Sequence, residues 1–195
     1  MNDTDIRAFL DRLYTDGQGQ DAQEQEHSKK MLNLEPDTAQ FLSLLIRSSQ
    51  RKNLLEIGTS NGYSTTWQAW AASKTGGHII SIDRDPRKHE LADANLRAAG
   101  LRELVDLKSG DATQIVTDLP GSFDWIFFDA DRYSAPAQLI QLIPKLIPGA
   151  LVLADNALSH PNEIASYLQT LEAQPQFDRL ILPIGKGLSL AYYKG

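Results

Sequence analysis

At 195 residues, with the composition of an ordinary soluble globular protein, the chain is long enough for one domain with a substantial core. Its net charge of −6 and its lack of a long basic run argue against nucleic acid as the main partner. With no cysteine, disulfides, thiolate metal sites and cysteine nucleophiles are excluded, which fits a reducing compartment.

The first helical pattern covers residues 4–15, where Ile6, Phe9, Leu10 and Leu13 recur at helical spacing. The opening residues are acidic and no apolar signal-type segment follows them. No apolar run reaches membrane-spanning length. A cytoplasmic protein with no membrane partner is the expectation. Asp16-Gly17-Gln18-Gly19 is expected to break the helix. Residues 20–30 are polar and read as a solvated face or a mobile connection. A second helix is expected over residues 36–49, with Pro36 in its first turn. Residues 1–50 thus read as an N-terminal helical cap, and 51–195 as an α/β core, within a single domain. The cap has three readings: cover over a ligand site, a subunit contact, or plain core cover.

From Asn53 the chain alternates strand and helix. Asn53–Ile57 reads as a buried strand, and the helix after it carries Tyr63, Thr66, Trp67, Trp70 and Ala71 on one face. The spacing of the two tryptophans predicts burial rather than a base-stacking platform. Further strands are expected at His78–Asp83, 104–109, Phe123–Phe128 and 150–154. The helices between them are Pro86–Ala99, stopped by Gly100, and 138–146, stopped by Pro148-Gly149. A helix over 162–173 follows, then two closing strands, Phe177–Leu182 and Leu188–Tyr193, joined by a turn at 184–187. The pattern predicts an α/β fold: a doubly wound, mostly parallel seven-stranded sheet with N-terminal helices.

The stretch Glu56-Ile57-Gly58-Thr59-Ser60-Asn61-Gly62-Tyr63-Ser64 has three readings. A dinucleotide fingerprint needs G-x-G-x-x-G, and the spacing here is different. A hydrolase nucleophile elbow needs G-x-S-x-G, which Gly58, Ser60 and Gly62 match literally. That elbow normally follows several strands, whereas the residues before Ser60 read mainly as helix. The third reading is the loop of a class I S-adenosylmethionine (SAM) methyltransferase. Its ligand has an amino-acid tail and a ribose but no phosphate, which suits an acid at Glu56 and fewer glycines.

The acids carry the chemistry. Asp83, Asp111, Asp129 and Asp155 each fall at or just past the end of an expected strand, and such ends converge on one crevice. Asp83 follows the glycine turn by about twenty residues and suits the hydroxyls of a ribose. Asp85 can cap the following helix, which leaves Asp83 for a ligand. Asp129, Asp155 and Asn156 offer hard oxygen donors, which favour magnesium, manganese or calcium over zinc. The four histidines, His27, His78, His89 and His160, are scattered and form no H-x-x-x-H pair.

Leu55-Glu56-Ile57-Gly58, Tyr63-Ser64, Ser81-Ile82-Asp83, Phe128-Asp129-Ala130-Asp131 and Ala154-Asp155-Asn156 together resemble the cation-dependent O-methyltransferases. That family includes the catechol and caffeoyl-CoA O-methyltransferases and their bacterial relatives. The resemblance spans roughly residues 30–195 and rests on the order and spacing of its pieces. It implies SAM and a divalent cation as cofactors, and a small hydroxyl-bearing molecule as acceptor. It also suggests a homodimer. It implies a SAM site made by Glu56, Gly58, Thr59, Ser60, Gly62, Ser64, Asp83, Asp111, Ala112 and Asp129, and a cation held by Asp129, Asp155 and Asn156. The segment from Met31 to Asp37 looks like the family's lead-in over the cofactor. Asp129 and Arg132 are the candidate catalytic residues. Many relatives carry lysine where this chain has Arg132, and that lysine is placed to take the acceptor's proton. Arginine keeps its own proton and cannot do so.

The expected activity is therefore methyl transfer from SAM to a hydroxyl of a catechol-like or other phenolic acceptor. Three alternatives stay open: a metal-independent SAM methyltransferase of another substrate class, a small serine hydrolase using Ser60, and a non-catalytic SAM-binding protein.

Overall fold

The computed structural model describes residues 3–195. Two helices, α1 (Asp3–Gln23) and α2 (Pro36–Ser48), precede an alternating series. It runs β1 (Asn53–Ile57), α3 (Tyr63–Thr75), β2 (His78–Asp83), α4 (Pro86–Ala99), β3 (Val105–Ser109), α5 (Ala112–Asp118) and β4 (Phe123–Phe128). It closes with α6 (Ala135–Leu142), β5 (Leu146–Ala154), α7 (Pro161–Glu172), β6 (Phe177–Leu182) and β7 (Leu188–Tyr193). The seven strands form one sheet in the order β3-β2-β1-β4-β5-β7-β6. β1 through β5 pair in parallel, and β7 runs antiparallel to both β5 and β6.

Side chains alternate across the strands, so one run of sequence feeds two cores. Leu54, Trp125, Phe127 and Leu153 pack on one face with α1 to α4. Leu55, Ile57, Ile126, Phe128 and Val152 pack on the other with α5 to α7. Trp67 and Trp70 lie in the first core, as their spacing predicts. The strand order reverses between β1 and β4, where crossovers leave in opposite directions and open a crevice at the carboxyl ends. Gly58 follows β1 there with φ +112°, and a Cβ at that position would strike the main-chain carbonyl of Asp129 after β4. Only glycine lets these two strand ends close.

Two expectations fail. The helix does not break at Asp16-Gly17-Gln18-Gly19, because α1 runs on to Gln23. Each interior glycine costs about 1 kcal/mol relative to alanine. Two tertiary features offset that cost. Gly17 is buried against Asn33, where a side chain would collide, and Asp21 on the added turn accepts the amides of Met31 (2.6 Å) and Leu32 (2.8 Å). Residues 20–30 are therefore in part the end of a helix that anchors the next segment. The second failure is at 146–149, expected as the end of a helix. α6 stops at Leu142, and β5 begins at Leu146. Pro144 has no amide hydrogen to continue the α-helical ladder, so the chain passes through a 3-10 turn at Ile143–Lys145. Pro148 favours extended backbone at Ile147, and Leu146 pairs with Phe123 before an irregularity shifts the register to Leu151 opposite Trp125.

Candidate active site

A cavity of about 570 Å³ opens at the switch point, within the range of small-molecule sites. Gly58, Thr59, Ser60 and Ser64 line it from the glycine turn, Asp83 from β2, Asp129 and Arg132 from beyond β4, and Asp155 and Asn156 from beyond β5. Residues 31–34 form its N-terminal wall. A side pocket of about 70 Å³ adjoins it, and Asp111, Ala112, Asp83 and Gln138 line that pocket.

The glycine turn is held by groups that its sequence alone does not reveal. Ser60 sits at φ +48°, its amide donates to Asp83 Oδ2 (2.8 Å), and its hydroxyl donates to the Met31 carbonyl (2.7 Å). A hydrolase serine would donate to an imidazole, so this geometry speaks against Ser60 as nucleophile. Asp83 is not free. Its other oxygen accepts the Asp85 amide (2.9 Å), while Asp85 caps α4 as expected by accepting the Arg87 amide (2.9 Å). Each Asp83 oxygen keeps a lone pair for a ligand. Asp111 caps α5 by accepting the Thr113 amide (2.7 Å). Gly62 does not line the cavity; it starts α3 at φ +83° and packs on Ala92.

Glu56 does not line the cavity either. It is wholly buried beneath the turn, where Ser64 Oγ (2.6 Å), Gln68 Nε2 (2.6 Å), Ser81 Oγ (2.6 Å) and the Thr65 hydroxyl all donate to it. Burial raises its pKa to about 7, against the opposing pull of those four donors. Glu56 thus ties β1, β2 and α3 together behind the ligand wall.

Asp129 and Asp155 form the opposite arrangement. Burial, the Asp155 charge and the charges of Glu56 and Glu35 hold the Asp129 pKa well above the ordinary carboxylate range. Asp155 is raised to about 6, chiefly by burial, and the Glu35 charge adds to this. Asp155 Oδ2 accepts from Asn156 Nδ2 (2.6 Å), while its Oδ1 is buried with no hydrogen-bond partner. Asn156 occupies the left-handed region at φ +66°, which asparagine tolerates better than most residues, and its Oδ1 accepts from Ser159 Oγ (3.0 Å). Among the described residues no three histidine, aspartate or glutamate side chains cluster at ligating spacing. A cation here would depend on a mixed set, two carboxylates and the Asn156 amide oxygen. An unpartnered buried oxygen beside a second carboxylate fits such a hard cation.

Arg132 turns toward α7, where its Nε (2.9 Å) and Nη2 (2.6 Å) both donate to Glu163 Oε2. Sequence reasoning missed Glu163, and it missed Lys186, which lines the cavity from the turn between β6 and β7. The Lys186 ammonium pairs with Glu35 Oε1 at 2.7 Å. Burial alone would lower its pKa, but Glu35, Asp155 and Asp129 together raise it. The available signal was a lysine between two glycines, Gly185 and Gly187, which reads locally as a mere hairpin turn.

With this geometry in view, comparison with known proteins is decisive. The O-methyltransferase family model matches residues 18–193. The chain belongs to this family. Catechol O-methyltransferase of Niastella koreensis is 37% identical over 131 residues, 65% of this chain and 59% of that protein. The chain thus spans under two thirds of that relative's length. Caffeoyl-CoA O-methyltransferase 1 of Eucalyptus globulus is 29% identical over 188 residues, 85% of this chain and 76% of that protein. The O-methyltransferase TomG of Streptomyces achromogenes, solved with SAM, superposes with a TM-score of 0.75 at 27% identity, covering 85% of this chain and 83% of that one. A methyltransferase from Geobacter sulfurreducens gives 0.78 at 26% identity and covers 98% of each chain. No helix among the described residues is long and apolar enough to cross a membrane.

Proposed function

We propose that the chain transfers a methyl group from SAM to a hydroxyl of a small phenolic acceptor with adjacent hydroxyls, assisted by a divalent cation. The observation that carries this reading is the half-satisfied carboxylate pair, Asp129 and Asp155, facing the glycine turn across one cavity of a family O-methyltransferase. SAM, when bound, supplies an electrophilic methyl group. A magnesium or manganese ion, when held by Asp129, Asp155 and the Asn156 amide oxygen, supplies positive charge that acidifies and orients an acceptor hydroxyl.

The chain's own residues do the rest. Asp83 accepts ribose hydroxyls while its bonds to the Ser60 and Asp85 amides keep its carboxylate in place. Thr59, whose hydroxyl is paired with Ser81 Oγ (2.6 Å), gives the turn a fixed wall. Ala112 and Asp111 line the side pocket, which would receive the adenine ring of SAM. Residues 31–34 close the cavity against water, held by Asp21 and Ser60. Arg132 places a permanent positive charge beside the acceptor and cannot accept its proton. The test is calorimetry with SAM, followed by product analysis on catechol with manganese and with excess chelator. Binding and chelator-sensitive methylation support the reading. Undiminished turnover in chelator refutes the cation and favours a metal-independent methyltransferase.

A further inference from the structure

Lys186 belongs to no part of the reaction described above, yet it is tied to the candidate cation loop by main-chain bonds. Its carbonyl accepts the amides of Leu158 (3.0 Å) and Ser159 (3.0 Å), and the Gly187 carbonyl accepts the Ala157 amide (2.8 Å). Those three amides follow directly on Asp155 and Asn156. The turn between β6 and β7 therefore cannot move without the loop that carries two of the three candidate ligands. Gly187 makes this fit: a Cβ there would overlap Leu158.

On its other side, the Lys186 ammonium reaches the segment ahead of α2, where it pairs with Glu35 Oε1 at 2.7 Å. Glu35 Oε2 is buried and has no hydrogen-bond partner. Asp129, Asp131, Asp155 and Glu163 line this end of the cavity with the cations Lys186 and Arg132, and Glu35 stands behind Lys186 as its ion-pair partner. Arg132 is engaged in two hydrogen bonds by Glu163. Lys186 is paired as well, but with one oxygen of Glu35 only, and it is the cation whose backbone is bonded to the loop after Asp155 and Asn156.

We infer that Lys186 is a resident counter-charge of the Asp129–Asp155 pair, and that it weakens the affinity of that pair for a divalent cation. The inference rests on the cation reading above and concerns how tightly this chain holds its metal. A divalent ion entering between the carboxylates meets a like charge already in their field, at a cost set by the effective dielectric of a half-exposed cavity. Since the Lys186 side chain is 44% exposed, solvent screens part of this repulsion. The effect is then several-fold, not a loss of binding. Glu35 holds part of the ammonium's charge away from the pair.

The test uses manganese alone, titrated into the full chain without SAM or acceptor. Loss of the free-ion paramagnetic resonance signal reports binding. Lys186→Met should tighten manganese about fivefold, and Lys186→Gln should do the same with a polar side chain. Lys186→Arg keeps the charge and should stay within about twofold of the parent. If Met and Gln bind manganese no more tightly than the parent while melting normally, the inference is wrong and the cation reading survives. If all three variants tighten alike, packing and not charge is responsible, and the inference again fails. If neither the parent nor any variant binds manganese, both this inference and the cation reading fall.

Discussion

Two buried acid sites lie on either side of β4 in this molecule and are built in opposite ways. Glu56, the penultimate residue of β1, has four donors around its carboxylate, from Ser64, Thr65, Gln68 and Ser81. Asp155 lies just past the end of β5 beside another carboxylate, with one oxygen that has no hydrogen-bond partner. Both sit where an open sheet places ligand-binding groups. The difference teaches that position at a strand end does not make an acid a ligand-binding residue. What decides is whether the surrounding protein has already satisfied it. Glu56 is complete and acts as a brace. Asp155 is incomplete and fits a group from outside.

The comparison breaks most sharply at Asp155. Asp155→Asn should lower turnover on a catechol by about a thousandfold if a cation must be held there. Its melting temperature should hold or rise, because the change removes a repelling, partly unpartnered buried charge. A strongly destabilised but active variant would reverse the two roles. Glu56→Ala should do the opposite. It leaves buried donors without an acceptor and should cost about 3 kcal/mol of stability, read by denaturant unfolding.

Asp83 stands between the two types, since it braces the turn and still faces the cavity. Asp83→Ala should weaken SAM by about 2–3 kcal/mol in calorimetry, with a smaller loss of stability. Unchanged affinity in a folded variant would leave Asp83 a brace only.

pH separates the braces further. The Glu56 pKa is raised on folding to about 7. Its contribution is therefore fully present below the ordinary carboxylate range and lost as pH rises through about 7, at no more than about 1.4 kcal/mol per pH unit. Denaturant midpoints should fall between pH 5 and 7, and Glu56→Gln should reduce that slope, leaving the part that the raised Asp129 and Asp155 carboxyls contribute. An unaltered slope would show that Glu56 is ionised throughout, held so by its four donors. The smallest effect belongs to Arg132. Its ion pair with Glu163 is half-exposed, so Arg132→Ala should lower turnover about tenfold with little change in SAM affinity, and Arg132→Lys should keep activity. A wild-type rate in the alanine variant would make Arg132 a structural partner of Glu163 and nothing more.

The sequence by itself determined the sheet, because short, nearly continuous apolar runs bounded by glycine, proline or acidic stops are local signals. His78–Asp83, Pro86–Ala99, Phe123–Phe128, Phe177–Leu182 and Leu188–Tyr193 have the bounds their residues predict. It also placed Asp83, Asp129, Asp155 and Asn156 at one rim, since strand ends follow from strand positions. It could not say that α1 passes through Gly17, because the packing that offsets two helix glycines comes from Asn33 and from an aspartate that anchors residues 31 and 32. Nor could it tell Glu56 from Asp155. Each is an acid after a run of apolar residues, and local pattern carries no account of donors that arrive from α3 and β2. Lys186 was hidden for the same reason. Its neighbours in sequence are two glycines, whereas its neighbours in space, Glu35 and the loop after Asp155, are about 150 and 30 residues away along the chain. Hydrogen-bond satisfaction and charge balance are sums over such distant partners, and only the folded chain performs them.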